Sequence, residues 1–312
     1  MHCRCQERDR DTNQRPGVSM PGRFGLESLP VIKRFLDGVT VDSCEFNLAT
    51  LFCWGPIYAY QWGVYNGRLL VYDGKNNHLL MPVGKEIPPE ALFTLVHELA
   101  DTGRVPKVAI VSKSYIDNNP DIRHFFTVEA DRNAAEYIYE TRSLLVLKGE
   151  KLHKKRNLIS QFRRRHPDHA VVPLDEGLRP KVRQFALDLL HTMDQIPETL
   201  AEEFSAMERA FAYWDLLRLE GLVLTVGGKI AAFSVFSPLT AEIYNIHFEK
   251  SNMAFKGAAQ VINQETARVL EGRCRYLNRE QDLGIPGLRQ AKLSYEPHRL
   301  AVPHILRLKN NA

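Results

Sequence analysis

Five cysteines (Cys3, Cys5, Cys44, Cys53 and Cys274) include no Cys-x-x-Cys pair, so neither a zinc ribbon nor a disulfide framework is indicated, and no metal site is expected. No stretch reaches the about 20 consecutive apolar residues of a membrane-spanning helix. The longest uncharged run, Phe46 to Tyr65, is broken by Gly55, Pro56, Gln61 and Gly63. Arg4, Glu7, Arg8, Asp9, Arg10 and Asp11 stand where a secretory signal would place an apolar core, which points to a reducing cytoplasm. Residues 1–22 read as a disordered lead-in, with Met20 as an alternative start. One-sided charge is also missing: 41 Lys and Arg against 37 Asp and Glu leave +4, too little to imply a polyanionic partner.

What is present is ordinary globular material. In 312 residues, 44% are hydrophobic, 25% charged and 9% aromatic, which excludes disordered, collagenous and coiled-coil chains. The length fits two domains. Val31 to Leu36 has a short helical pattern, and the aromatics Phe52, Trp54, Tyr58, Tyr60 and Trp62 recur every second residue, a sheet period. Asn66-Gly67, flanked by Val64-Tyr65 and Leu69 to Tyr72, is a hairpin signal, and a further turn at Asp73 to Asn77 leads to Leu79-Leu80-Met81. Pro88-Pro89 opens a helix with Leu92, Leu95, Val96 and Leu99 on one face, followed by the strand Val108 to Val111.

The second half repeats the theme. Helical patterns at Val182 to His191 and Glu198 to Leu219 precede strands Leu222 to Val226 and Ile230 to Phe236, joined by Gly227-Gly228. A third strand, Ala241 to Glu249, leads through Gly257 into a helix from Ala258 to Leu270. Strand Cys274 to Leu277, helix Pro286 to Lys292 and a strand near Val302 to Leu306 complete the chain. This is the element order of an N-acetyltransferase-type domain. The expected fold class is therefore α/β (α+β): two tandem GNAT-like N-acyltransferase domains, each a mixed, mostly antiparallel sheet flanked by helices, over residues 23–172 and 173–312.

Three constellations bear chemistry. In Lys148 to His166, eight Lys or Arg (Lys148, Lys151, Lys154, Lys155, Arg156, Arg163, Arg164, Arg165) face a single Glu150, a local +7. Leu152, Ile159 and Phe162 keep a narrow apolar stripe at helical spacing. Such a segment is either a solvated helix or a surface for RNA or another polyanion, because uniform charge repels itself unless phosphates meet it. The second is strand Glu242 to Lys250 feeding Lys256, Gly257, Ala258 and Ala259. A strand, glycine turn and helix N-terminus together offer free N–H groups to a phosphate, and His247 and Glu249, two apart, would share one face as a base pair beside it. An ordinary buried strand histidine is the competing reading. The third is Tyr276 to Pro297, where Glu280, Asp282, Arg289 and Lys292 gather at a strand end, the usual ligand position of open sheets; a salt-bridged structural turn explains the same charges.

With these stretches in view, the chain resembles a bacterial family of unknown function grouped with the C-terminal catalytic domain of phosphatidylglycerol lysyltransferases. The matching residues are Leu147 to Gly149, Leu152 to Asn157, His247 to Lys250, Ile262 to Glu265, Asn278 to Gly284 and Arg289 to Tyr295, and the similarity runs from about Leu36 to Leu308. It implies a tandem N-acyltransferase-like fold and a link to Fem-type enzymes that use aminoacyl-tRNA. Of the acetyl-CoA pattern Gln/Arg-x-x-Gly-x-Gly/Ala, Gly257 and Ala259 are kept, but Ala254 replaces the first residue.

The leading expectation is an aminoacyl-tRNA-dependent transferase acting on an unidentified amine, hydroxyl or peptide acceptor, without a resident cofactor. His247, Glu249, Glu280 and Asp282 are its candidate catalytic groups, Lys256 to Ala259 its donor-binding turn, and Asn263, Asn278, Arg279, Arg289, Lys292 and Tyr295 an acceptor-binding or structural polar cluster. An acyl-CoA-dependent N-acetyltransferase and a non-catalytic nucleotide- or RNA-binding regulator on the same fold are the alternatives. Oligomeric state is not legible.

Overall fold

The computed structural model describes residues 20, 22–100, 105–193 and 195–309. Of the expected lead-in, only Met20 and Gly22 fall among them; the rest lies outside the described residues. The first part of the chain forms β1 (Gly22–Arg23), α1 (Leu29–Leu36), α2 (Leu48–Trp54), β2 (Gln61–Tyr65), β3 (Arg68–Asp73), β4 (His78–Leu80), α3 (Pro89–Ala100), β5 (Lys107–Val111), α4 (Lys113–Asn118), α5 (Ile122–Phe125) and β6 (Phe126–Ala130). Then come β7 (Glu136–Glu140), α6 (Thr141–Val146), α7 (His153–Arg165), β8 (Ala170–Pro173), α8 (Arg179–His191) and α9 (Glu198–Ala212). The last part forms β9 (Glu220–Val226), β10 (Lys229–Pro238), β11 (Ile243–Ser251), α10 (Ala258–Leu270), β12 (Tyr276–Gln281), α11 (Pro286–Leu293), β13 (Arg299–Ala301) and β14 (His304–Leu308).

Both hairpin signals hold for a backbone reason. Asn66 and Gly67 have φ of 48° and 73°, and Gly227 and Gly228 have 56° and 76°, the paired positive values that match a tight two-residue turn to the strand twist. The aromatic run is different: the two-residue period proposed a strand through Phe52 and Trp54, and the chain there is α2. Asn47 caps it by accepting the N–H of Ala49 at 2.8 Å. The helix is buried all round, with Leu51 in the core of the first sheet and Ala49, Phe52 and Cys53 in that of the second. A helix with two apolar faces shows no amphipathic period to read.

Two seven-stranded sheets result, in the orders β1-β2-β3-β4-β5-β14-β6 and β13-β7-β12-β11-β10-β9-β8. Each has a single parallel pair, β4 with β5 and β11 with β12, and in each a helix, α3 or α10, makes the crossover that parallel strands require. The strand beside that pair comes from the other part of the chain. β14 lies between β5 and β6, and β7 lies between β12 and β13.

The boundary expected between residues 172 and 173 is thereby corrected. The chain leaves the first sheet after β6, enters the second at β7, and returns at β14, so β7 and β8 belong with the second sheet. Hydrophobic patterning cannot show this, because an apolar strand such as Tyr137-Ile138-Tyr139 fits any interior position of either sheet.

Two outcomes follow from the exchange. Residues 23–172 expressed alone lack β14 and carry β7 and β8 without a sheet, and will show no cooperative thermal transition by circular dichroism, whereas the full chain will. Leu306, fully buried in β14, when changed to Ala will destabilise the intact protein by about 2–5 kcal/mol in urea titration.

Candidate active site

The polar strand β12 separates from β11 soon after they meet. They pair in parallel only over Ile243 to Asn245 and Tyr276 to Asn278; beyond that point each strand carries a bulge. On β11, Ile246 faces Phe236 while Phe248 faces Val235, leaving His247 as the extra residue. On β12, Asn278 faces Ile138 and Gln281 faces Glu136, and Glu280 takes φ of 56°. A bulge re-aims a side chain, and here the two bulged residues turn toward each other: His247 Nδ1 is 3.3 Å from Glu280 Oε1.

The pair belongs to a longer chain of hydrogen bonds. His247 Nε2 is 2.8 Å from Ser237 Oγ, Asn47 Nδ2 donates to Ser237 Oγ at 3.2 Å, and Asn245 Nδ2 donates to Glu280 Oε1 at 2.9 Å. Ser237 and Asn47 line a cleft of about 770 Å³, bounded by residues 36–42 after α1, the end of β10, the start of β11 and Arg299. Lys33, Arg218 and the Asp42–Arg299 ion pair, 2.7 Å, give its wall mixed charge.

Next to this chain sits a set of carboxylates that the sequence did not announce. Glu136, at the start of β7 and 1% exposed, accepts from Ser43 Oγ at 2.6 Å, Cys44 N at 2.8 Å and Asn278 Nδ2 at 2.5 Å. Burial pushes its carboxyl up to about 7, against the pull of those donors. Glu45, partly buried, is pushed up to about 8 by burial and then by the nearby charges of Glu136 and Glu280. Burial and the same carboxylates raise the Cys44 thiol well above its ordinary range, so it is not a nucleophile at neutral pH. Among the described residues none of Glu45, Glu136 and Glu280 forms an ion pair with Lys or Arg.

The other expected residues are placed by the same strand. Glu249 does not share a face with His247, because the bulge at His247 breaks the alternation. It pairs with Arg279 at 2.7 Å in the core under Tyr139 and Tyr295, whose rings lie 5.8 and 5.2 Å from the guanidinium. Asp282, expected as catalytic, is fully buried and saturated: Arg132 and Arg289 pair with it at 3.0 and 2.8 Å, the Tyr137 hydroxyl and Gly284 N–H donate to it, and its carboxyl is held far below the usual range. It anchors the turn into α11. Lys292 donates to the carbonyls of Arg279, Glu280 and Gln281 at 2.5, 3.1 and 2.5 Å and so staples the β12 bulge; burial lowers its ammonium to about 8. Asn278 ties Glu136 to the carbonyl of Asp42, whereas Asn263 is buried on α10 and does not line the cleft.

At the expected donor turn Gly257 has φ of 100°, and a Cβ there would stand 2.7 Å from the carbonyl of Leu158 and 3.0 Å from Phe162 Cβ, both on α7. Glycine is required so that α7 can lie against the start of α10. Ala258 is buried and its N–H is taken by Phe255 O; Ala259 is half-buried and Lys256 exposed.

The basic helix divides in two. Arg156 donates to the carbonyls of Leu147 and Gly149, Arg163 pairs with Glu265 at 2.8 Å, Lys151 with Glu296 at 2.7 Å, and Lys155 lies 4.2 Å from the centre of the Tyr295 ring. Lys148, Lys154, Arg164 and Arg165 are exposed and, among the described residues, make no ion pair. Ser43, Glu45, Asn47, Glu136, Ser237 and Asn245 escaped the sequence reading. Asn47 before an apolar run carried a cap signal; the others had none.

The chain belongs to the family described as phosphatidylglycerol lysyltransferase, C-terminal, whose model matches residues 39–302. This bears out the resemblance read from the basic helix, β11 and β12. A conserved protein of unknown function from Bacteroides thetaiotaomicron has a TM-score of 0.85 at 29% identity, over 93% of this chain and all of that one. The C-terminal domain ascribed to a lysylphosphatidylglycerol synthetase of Agrobacterium fabrum has a TM-score of 0.62 at 14% identity, covering 91% and 92%. FemX has 0.56 at 8%, covering 90% and 96%. The fold class is the expected one, α/β with two mostly antiparallel sheets flanked by helices. Among the described residues no helix is long and apolar enough to cross a membrane.

Gly257→Val will destabilise the protein by about 2–4 kcal/mol in urea, from left-handed strain and contact with α7. A second outcome concerns pH. Glu45 and Glu136 titrate higher in the folded chain than the roughly 4.3 of an unfolded Glu, so the folded state binds extra protons from there to about pH 8. Stability is full below this window and falls as pH rises through it. The urea midpoint will drop from pH 5 to pH 9, and Glu45→Gln will flatten the drop, leaving the variant about 1–3 kcal/mol more stable than wild type at pH 9.

Proposed function

We propose that this member of the phosphatidylglycerol lysyltransferase C-terminal family transfers an aminoacyl group from its tRNA ester to an amine or hydroxyl acceptor bound in the cleft. The observation that carries the reading is the set Glu45, Glu136 and Glu280, which lies behind the cleft's lining at Phe46, Asn47 and Ser237 and, among the described residues, has no Lys or Arg ion-pair partner. Burial holds Glu45 and Glu136 partly protonated near neutral pH, a cation arriving beside them would favour their ionised form, and an aminoacyl group differs from a plain acyl group by the ammonium it brings. Glu45 and Glu280 keep partial exposure.

Against the acyl-CoA alternative stand Ala254 in place of the first residue of the acetyl-CoA pattern and the N–H of Ala258 already bonded to Phe255 O. For the donor's RNA, α7 and the segment before it offer Lys148, Lys154, Arg164 and Arg165. Lys155 of α7 rests on Tyr295, which in turn touches Arg279, the chain neighbour of Glu280, so side-chain contacts link the basic helix to β12. In the transfer the donor's acyl carbonyl passes to the acceptor; His247, with Glu280 at Nδ1, takes the proton released through Ser237 Oγ, 2.8 Å from Nε2, and returns it to the tRNA alcohol oxygen that leaves. Such a reaction uses charged tRNA and belongs in the cytoplasm.

The test is direct. Purified protein will bind charged bulk tRNA, give no heat with acetyl-CoA in calorimetry, and pass the labelled aminoacyl group to an added amine. Replacing Lys148, Lys154, Arg164 and Arg165 by Ala will weaken tRNA binding and reduce its salt slope by roughly 0.7–0.9 for each phosphate no longer neutralised. Glu45→Gln will lower the preference for charged over uncharged tRNA. Acetyl-CoA binding with indifference to tRNA would move the protein to the acyl-CoA reading; tRNA binding without transfer would make it a binding protein.

A further inference from the structure

The hydrogen-bond chain through His247 has a direction, and its end faces the cleft. Asn47 Oδ1 accepts the N–H of Ala49 at 2.8 Å as the cap of α2 and lies 3.5 Å from Ser237 Oγ, and Asn47 Nδ2 is turned toward Ser237 Oγ, 3.2 Å, and the carbonyl of Pro238, 3.1 Å. The serine oxygen therefore receives a hydrogen bond from Asn47. On its other side His247 Nε2 lies at 2.8 Å. A carboxylate oxygen near Nδ1, Glu280 Oε1 at 3.3 Å, favours the tautomer with its proton on Nδ1, which leaves Nε2 as an acceptor. Of the two acceptors within reach of the Ser237 hydroxyl proton, His247 Nε2 at 2.8 Å is nearer than Asn47 Oδ1 at 3.5 Å, and the stronger bond runs to the imidazole. Carboxylate, imidazole and hydroxyl stand in the order that activates a nucleophile.

Position supports the same reading. His247 does not line the cleft, whereas Ser237 and Asn47 do; a base so placed reaches a substrate only through the serine oxygen. Both links are built by backbone departures, the β11 bulge that leaves His247 unpaired and the left-handed Glu280. Strained residues of this kind persist where the surroundings hold them in place.

We infer that Ser237 is a nucleophile that carries the acyl group, so that transfer is a double displacement. In the first step Ser237 Oγ attacks the donor's ester carbonyl and its proton passes to His247 Nε2. The bond to the donor's alcohol oxygen breaks, and that oxygen leaves with the proton from the imidazolium. In the second step the acceptor amine attacks the seryl ester and gives its proton to Nε2. Ser237 Oγ departs and recovers it, leaving an amide. Asn47 Nδ2 is the donor placed beside the reacting oxygen, and Glu280 is a positioning residue. The inference rests on the aminoacyl-transfer reading only for the identity of the acyl group.

The experiment uses the full chain and p-nitrophenyl acetate, an ester that needs no tRNA site, followed by intact mass and peptide mapping, with charged bulk tRNA consumption measured in parallel. Wild type will acquire one hydroxylamine-labile acetyl group on Ser237. Ser237→Ala, folded by circular dichroism, will not, and His247→Ala will acylate slower by a factor on the order of 10³. Acylation lost in Glu280→Ala will return in part in Glu280→Asp. An acetyl group on Ser237 without consumption of charged tRNA supports the nucleophile and overturns the donor reading. No adduct on Ser237 of wild type, with charged tRNA consumed equally by wild type and Ser237→Ala, overturns the nucleophile and leaves aminoacyl transfer standing. No adduct and no consumption overturns both.

Discussion

Strand β7 is where the molecule is tied together. It leaves the first sheet's part of the chain and inserts between β12 and β13, and its first residue brings a carboxylate into the interior. Glu136 then holds Ser43 and the N–H of Cys44 from the segment before α2, and Asn278 from β12. A buried acceptor met by three donors is stable where a bare one is not. The segment it fixes is the one that caps α2 through Asn47 and walls the cleft. The reciprocal insertion of β14 into the first sheet makes neither sheet complete without the other part of the chain.

The strand β12 converts this anchoring into a shaped site. From Asn278 to Asp282 each side chain holds a different partner. Asn278 binds Glu136, Arg279 binds Glu249, Glu280 meets His247 and Asn245, Gln281 reaches Cys44 and Glu45, and Asp282 takes two arginines. Glu280 in the left-handed region costs about 1–2 kcal/mol. Lys292 offsets it by bonding three successive carbonyls across the bulge. Charged donors to buried carbonyls are among the stronger hydrogen bonds, and the ammonium is lowered by burial yet remains protonated for most of the population at neutral pH. The groups around the cleft are thus held by saturated neighbours, and the partly exposed Glu45 and Glu280 are the ones left to respond to a substrate.

Helix α7 shows how one charge pattern serves two ends. Half of its basic side chains close the structure: Arg156 caps the turn after α6, Arg163 reaches α10, and Lys155 lies on Tyr295. Gly257 lets α7 settle directly on the start of α10, and the other half, the exposed lysines and arginines, faces outward.

Much of this was legible in the sequence. Hairpins at Asn66-Gly67 and Gly227-Gly228, the helix after Gly257 and the polar run of β12 each follow from φ preferences, caps or side-chain chemistry within a few residues, and the family resemblance stood on the same run. The sequence also named His247 and Glu280, which the structure brings together, but it put Glu249 beside His247 on the assumption of an unbroken two-residue period. It took α2 for a strand because a helix buried on both sides has no polar face. What tertiary structure alone decided was pairing. Which sheet receives β7 or β14, where a bulge turns His247 inward, and that Ser43 and Glu136 meet across 93 residues depend on which apolar edges and buried donors fit one another in space, and no local preference encodes that.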